Sequence, residues 1–251
     1  MRDTAEYFFT PQAALPEGVG FALWDGMHLR WLAIAAALIV LLCLLSHRAG
    51  PRGRARLRVA VGCAILLLEL VQDGCLLLQG AFTVWNLPLH LCGLAVFFCF
   101  FHSLHPGKTV GNFIYSTCAP GALFALLFPD WTMFPPFSLH SIVAFSIHAL
   151  IVAYPLVLLA GGMLKPEARY LPRCFGILLV LAVPVALFNR RFGTNYMFLS
   201  WPSAGSPLEW FGDRLGNPGY LLGYLPMTAA VWGLLYLPLI RKEKRGSAHR
   251  E

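Results

Sequence analysis

A histidine and a cysteine stand two positions apart at the start of an apolar stretch. They are His90 and Cys92, in the run Asn86-Leu87-Pro88-Leu89-His90-Leu91-Cys92, and the stretch continues to Phe101. Asn86 is a preferred N-cap residue and Pro88 suits a first turn, so the run predicts a helix start. Cys92 would then lie about one and a half turns from a helix N-terminus, where free amides and the dipole favour a thiolate. The pair is a candidate for thiol chemistry, or else a coincidence of composition.

Three polar side chains interrupt another apolar stretch, Glu69, Gln72 and Asp73. Residues three and four apart share a helix face, so these form one polar stripe. A carboxylate in hydrocarbon costs at least about 2 kcal/mol and normally faces the bundle interior or a wet cavity. The stripe is either a buried hydrogen-bond network or part of a functional site.

Two histidines lie in a third apolar stretch, His140 and His148. Eight residues of straight helix rise about 12 Å and leave the two side chains roughly 80° apart, so both cannot contact one ligand atom. His140 is expected near the membrane surface and His148 deeper, with Pro155 as a kink beyond it. A lone histidine is often a core residue, but burial in a membrane favours a functional role.

A polar segment follows the apolar stretch 171–188. Its donors stand among large apolar side chains, and they are Asn189, Arg190, Arg191, Thr194, Asn195 and Tyr196. Irregular backbone at membrane depth is tolerated only where protein or water surrounds it. We therefore expect this segment to re-enter the bundle or to cap a cavity.

The composition places these residues in an all-α, polytopic membrane protein. Hydrophobic residues make up 58% of the chain and charged residues 12%, against about 25% charged in soluble domains. Apolar runs predict seven transmembrane helices, at 29–46, 57–79, 86–101, 110–128, 139–160, 171–188 and 219–240. Residues 1–28 would form an extracytoplasmic segment without a cleavable signal, 29–240 the membrane domain, and 241–251 a basic cytoplasmic tail.

The basic residues predict the orientation. Of the 19 Lys and Arg residues, 14 fall on the side that holds the 47–56 loop and the C-terminal tail. The positive-inside rule then puts the N-terminus outside and the C-terminus inside. Because the net charge of +7 sits beside helix ends, it does not indicate a nucleic-acid partner.

In this topology the polar features, from Glu69 and Asp73 to the 189–196 segment, converge on the outer half, which favours one outward-facing cavity. The inner half shows little beyond Asn112, and His102 and His105 are expected to be ordinary loop residues. The seven cysteines include no CxxC pair and predict neither a disulfide framework nor a zinc site.

Several motifs, in order, resemble the YwaF-like bacterial integral membrane proteins, a family similar to the vertebrate transmembrane protein 164, an acyltransferase of ether phospholipids. The motifs are Leu87-Pro88-Leu89-His90-Leu91-Cys92, Asn112-Phe113-Ile114-Tyr115, Gly121-Ala122-Leu123, Phe128-Pro129-Asp130, His140 and His148 with Pro155-Leu156-Val157-Leu158-Leu159, and Gly193-Thr194-Asn195-Tyr196-Met197-Phe198-Leu199. The resemblance covers roughly residues 20–240. It implies a location in the bacterial cytoplasmic membrane.

The resemblance further implies an acyl-thioester mechanism, with Cys92 as nucleophile and His148 as base. His90 would orient or polarise the reacting groups. The residues His140, Glu69, Asp73 and Asn112 would support the site. Donors in the 189–196 segment would serve an oxyanion or a head group, with Arg190 and Arg191 holding phosphate. The expected partner is a membrane phospholipid as acyl donor or acceptor, since an outward site has no access to cytosolic acyl-CoA. We expect no metal, cofactor or protein partner.

Two alternatives stay open at this level. Glu69, Asp73, His90, His140 and His148 are ligand types that suit zinc or iron, which would make a metal-dependent intramembrane lipid hydrolase, although no local metal motif is present. Intramembrane carboxylates also suit a proton-coupled small-molecule transporter or binding protein, although the sequence has no internal repeat. A structural scaffold would leave the polar stripe unexplained.

Overall fold

The computed structural model describes residues 6–248, with side chains up to residue 239. This part of the chain contains helices, turns and loops and no β-strand, which confirms the all-α prediction. The helices are α1 (Gly26–Arg48), α2 (Pro51–Leu78), α3 (Leu91–Leu104), α4 (Lys108–Phe113), α5 (Ala119–Leu127), α6 (Leu139–Ala160), α7 (Leu171–Phe192), α8 (Pro207–Leu215) and α9 (Tyr224–Ala248). The side chains of the predicted basic tail, 241–251, lie outside the described residues.

Six helical stretches within the described residues are long and apolar enough to cross a membrane. They are Gly26–Arg48, Pro51–Leu78, Lys108–Leu127, Leu139–Ala160, Ala168–Phe192 and Gly219–Leu239. The predicted seventh, α3, has 14 residues, fewer than the about 20 that a full span needs. The protein is therefore a multi-pass membrane protein, whereas a count of seven full spans is not confirmed.

The start of α3 differs from the prediction. The N-cap is His90 rather than Asn86, and the Asn86 side chain instead accepts hydrogen bonds from the Thr83 backbone N–H and hydroxyl, at 2.8 and 2.9 Å. Asn86 thus closes a local turn, an alternative that asparagine side chains readily offer. Cys92 consequently becomes the second residue of the helix and lies nearer to its N-terminus than the sequence indicated.

Helix α6 occupies the centre of the bundle. In its most apolar window 78% of the residues are buried, against 11% for α1, and it packs against α1, α2, α3 and α5. A helix that is apolar on all sides is stable in such a position because every face meets other protein groups. His148 is thereby carried into the interior of the bundle, whereas His140, at the start of the helix, is half-buried.

Close contacts hold the neighbouring helices in register. A Cβ at Gly62 of α2 would lie 2.5 Å from the Ser103 side chain of α3, so only glycine permits this approach. Between α4 and α5 the backbone makes one π turn, Ile114–Cys118. Pro120, two residues after Cys118, lacks the N–H that a regular α-helix would use, which accounts for the wider turn.

The helices alternate in direction, so the loops collect at two ends. The His90 end holds residues 8–25, 79–90, 128–138 and 193–223, and the His102 end holds residues 49–50, 105–107 and 161–167. Backbone bonds from Phe21 to the Thr132 carbonyl and from Leu139 to the Phe8 carbonyl, both 2.9 Å, fold the N-terminal segment across the His90 end.

Candidate functional site

His148 presents an unoccupied basic nitrogen inside the protein. Its Nδ1 lies 2.7 Å from the Ala144 carbonyl oxygen, and because a carbonyl only accepts, Nδ1 carries the proton. Neutral imidazole then has its lone pair on Nε2. That atom is buried without a hydrogen-bond partner, in a side chain that is 7% exposed. Such an orientation is the one that a general base requires.

Trp131, in the loop between α5 and α6, lies against this histidine. The two rings are stacked, with centroids 4.9 Å apart and planes inclined by 24°. The indole Nε1–H is also buried without a partner. A free acceptor and a free donor therefore stand side by side in the bundle interior, where unsatisfied polar groups are costly.

His90 is held in the opposite tautomer. The Met197 backbone N–H donates to His90 Nδ1 at 3.3 Å, so the proton lies on Nε2 when the ring is neutral. The ring also packs against Tyr196 and Phe198, with centroids 4.9 and 5.4 Å away. Burial lowers the pKa of His90 from its ordinary value, and the Asp130 carboxylate opposes this shift in part.

Cys92 belongs to the same end of the bundle. It is half-buried at the start of α3 and lies within electrostatic range of the Asp130 and Glu69 carboxylates. Asp130 also interacts electrostatically with His90, His140 and His148. The structure has no hydrogen bond between the Cys92 sulfur and His148 Nε2. We refer to His90, Cys92 and His148 as the cysteine–histidine group, and Asp130 lies within electrostatic range of all three.

The segment predicted to cap a cavity, 189–196, continues without a break to Trp201, and side chains of this 189–201 segment hold it together. The Asn189 amide oxygen accepts from the Thr194 hydroxyl at 2.8 Å and from the Tyr196 N–H at 2.9 Å. Asn195 donates to the Trp201 carbonyl at 3.0 Å, and the Tyr196 hydroxyl donates to the Val84 carbonyl at 2.7 Å. The donors of Thr194, Asn195 and Tyr196 therefore fix the backbone that meets His90.

Other predicted site residues have different surroundings. His140 is half-buried and stacks on Phe134 at 3.8 Å. Glu69 and Asp73 are partly buried on α2, where Gln72 Oε1 is a further buried atom without a partner. Arg190 and Arg191 are exposed at the end of α7.

Asn112 lies at the His102 end, away from the cysteine–histidine group. Its side chain joins the Lys108 carbonyl, the Glu167 N–H and the Tyr236 hydroxyl, at 2.8, 2.9 and 3.2 Å. Asn112 belongs to one of the motifs that carry the family resemblance. Its contacts in the structure join α4, α9 and the 161–167 loop.

The prediction that His102 is an ordinary loop residue is wrong. It lies within α3 and is 5% exposed, and its Nδ1 is 2.9 Å from the Tyr154 hydroxyl. The His102 end of the bundle is therefore more polar than the sequence indicated. The long apolar run did not reveal this because the partner of His102 is 52 residues away in the chain.

Three further side chains matter that the sequence analysis did not single out as site residues. In the sequence, Asp130 could be noticed only as part of the Phe128-Pro129-Asp130 motif, and Trp131 only as part of an aromatic loop. His28 is fully buried, accepts from the Trp24 N–H at 3.0 Å and lies 2.9 Å from the Leu126 carbonyl. Since both its nitrogens have partners, His28 is a structural histidine.

Among the described residues, no group of three or more His, Cys, Asp or Glu side chains is arranged to hold a metal ion. The metal-dependent alternative requires such a group. Glu69, Asp73, His90, His140 and His148 are thus suitable metal ligands by type, but in the described part of the chain they are not arranged as a metal site.

A family model described as the TMEM164 family matches residues 23–236. No curated protein and no solved structure matches the chain. The matched range contains α1 to α8, the first part of α9 and every residue of the cysteine–histidine group.

Proposed function

The chain belongs to the TMEM164 family, as its resemblance predicted, and on that premise we propose that it is a membrane-embedded lipid acyltransferase. Cys92 carries the acyl group as a thioester, and His148 moves the protons. The observation that carries the proposal is the buried His148 Nε2, whose lone pair has no partner.

The first half of the reaction acylates the cysteine. The Cys92 thiol gives its proton to His148 Nε2, and the sulfur attacks the ester carbonyl of a phospholipid. The tetrahedral intermediate then collapses, the carbon–oxygen bond breaks, and the departing hydroxyl of the lysophospholipid takes the proton from His148. A thioester and a lysophospholipid result.

The second half reverses these steps with another alcohol. His148 takes the proton of the acceptor hydroxyl, the oxygen attacks the thioester, and the Cys92 sulfur leaves and is protonated by His148. The same base serves both halves because it returns to its neutral form each time. Water in place of the acceptor would give hydrolysis instead.

Charge on the carbonyl oxygen needs donors that are free before the reaction. The Trp131 Nε1–H is buried, lies beside His148 and has no partner. The Nε2–H of neutral His90 is the second donor, held in that tautomer by the Met197 N–H. Such preorganised donors stabilise an oxyanion without reorganisation during the reaction.

Location follows from the charge distribution. With the His102 end in the cytoplasm, 14 of the 19 Lys and Arg residues lie on the cytoplasmic side, as the positive-inside rule requires. The His90 end then faces out of a bacterial cytoplasmic membrane, and both donor and acceptor are lipids of the outer leaflet. Arg190 and Arg191, exposed at that end, would bind the lipid phosphate.

The test follows the acyl group onto the protein. Purified protein in liposomes is given a phospholipid with an alkyne-tagged acyl chain, and hydroxylamine-sensitive label on the protein is measured. We expect label on the wild type and none on Cys92→Ala. The matched control is Cys75→Ala, since Cys75 is also half-buried but lies on α2; it should label normally. Label that persists in Cys92→Ala, or an unlabelled wild type, would contradict the mechanism.

A further inference from the structure

A cavity lies at the opposite, His102 end of the bundle. Its volume is about 300 Å³, and its lining includes His102, Gly107, Lys108, Lys165 and Glu167. Ligand pockets commonly measure about 300–1,000 Å³, so this one is large enough for a small group. None of the cysteine–histidine residues contributes to it.

The charge of the lining is positive. Lys108 and Lys165 both line the cavity, and neither forms a salt bridge within the described residues. The one acidic lining residue, Glu167, is paired instead with Arg169 at 2.7 Å. Two lysines thus line the cavity while the Glu167 carboxylate is paired with Arg169, which favours an anionic occupant.

Backbone donors add to this preference. Gly107 precedes α4 and offers no side chain to cap it, so the first amides of the helix lack helical partners. The helical stretch continues from Lys108 to Leu127, so its start carries the partial positive charge of a long helix. Lysine side chains and free amides together form the donor set that proteins use for phosphate.

The two lysine-bearing segments are held at a constant separation. Asn112, which is fully buried, donates to the Lys108 carbonyl at 2.8 Å and accepts from the Glu167 N–H at 2.9 Å. The Tyr236 hydroxyl donates to the same Asn112 oxygen at 3.2 Å. A single side chain therefore joins both walls, so that binding here needs little ordering of the backbone.

We propose that this cavity binds a phosphate group, either that of a phospholipid head group at the membrane surface or that of a soluble phosphate compound. Lys108, Lys165 and the first amides of α4 contact the phosphate oxygens. In the orientation proposed above the site faces the cytoplasm, so it is separate from the acyl-transfer site and its test does not depend on catalysis.

The experiment measures binding to the full-length protein in uncharged detergent micelles. One arm uses inorganic phosphate, and the other uses short-chain phosphatidylglycerol with the matching diacylglycerol as a phosphate-free control. The test variant is Lys108→Gln/Lys165→Gln. The control variant is Arg48→Gln/Arg52→Gln, which removes the same charge from exposed residues near the same end that do not line the cavity.

We expect the lysine variant to weaken binding by about tenfold or more, as for lost charge-assisted hydrogen bonds, and the arginine variant to change it less than about twofold. Binding of phosphatidylglycerol alone identifies a lipid head group as the ligand, and binding of inorganic phosphate identifies a soluble one. Equal weakening in both variants, equal binding of the diacylglycerol, or no saturable binding of either probe would overturn the proposal.

Discussion

The imidazole of His148 lies on the indole of Trp131, with ring centroids 4.9 Å apart, and each ring has a buried nitrogen without a hydrogen-bond partner. One nitrogen accepts and the other donates. A thiol proton needs such an acceptor and an ester carbonyl needs such a donor, so the stacked pair offers both functions of the proposed acyl transfer at one place.

Replacing Trp131 by phenylalanine keeps an aromatic side chain at this position and removes the N–H together with part of the ring system. We expect the rate of Cys92 acylation to fall by about 10²-fold, the usual effect of one lost oxyanion donor, with little change in lipid binding. Single-turnover labelling measures this rate. The control is Trp85→Phe, because Trp85 is exposed. An unchanged rate in Trp131→Phe would exclude the indole as a donor.

Two buried histidines should respond differently to glutamine. His148→Gln removes the base and should slow acylation by about 10²- to 10⁴-fold. His28→Gln disturbs bonds to Trp24 and Leu126 and should lower the free energy of unfolding by about 1–3 kcal/mol, while acylation persists below the melting temperature. Thermal melting and labelling of both variants check this, and normal acylation in His148→Gln would contradict the assigned role.

His90 should make the protein sensitive to acid. Burial lowers the pKa of His90 in the folded state, so the unfolded chain, with a pKa of about 6.5, binds the proton more readily. The contribution of neutral His90 to the free energy of unfolding is therefore fully present above about pH 6.5. It is lost progressively as the pH falls below this value. Protonation also removes the Nδ1 acceptor that the Met197 N–H uses.

The measurement is the melting temperature between about pH 8 and about pH 5. His90→Asn retains an acceptor close to Nδ1 and does not titrate, so it should show a shallower decline than the wild type. Identical declines for the two proteins would show that His90 does not contribute.

The 189–201 segment should depend more on Asn189 than on Tyr196. Asn189→Ala leaves the buried Tyr196 N–H without its partner and removes one of the two hydrogen bonds that the Tyr196 carbonyl accepts. An unpaired buried group costs about 1–3 kcal/mol. Tyr196→Phe removes one hydroxyl bond to Val84 and should cost about 1 kcal/mol. Denaturant unfolding of each variant gives these values, and a smaller effect for Asn189→Ala would contradict the observed bonding.

Sequence reasoning located most helices because hydropathy is a local property. The predicted span 139–160 coincides with α6, and 110–128 differs by at most two residues from the helical stretch Lys108–Leu127. The start of α3 was misplaced because Asn86 forms a turn with Thr83. The same local pattern, an asparagine before a proline, fits both a helix cap and a turn.

The sequence by itself determined an all-helical membrane bundle of the TMEM164 family. It also brought Cys92, His90 and His148 toward one end, since helix order and alternating direction follow from the apolar runs. The tertiary structure alone decided which groups meet: Met197 with His90, 107 residues apart, Tyr196 with Val84, 112 apart, and Trp131 with His148. The physical reason is that helix formation depends on neighbouring residues, whereas these contacts depend on how the helices and loops pack.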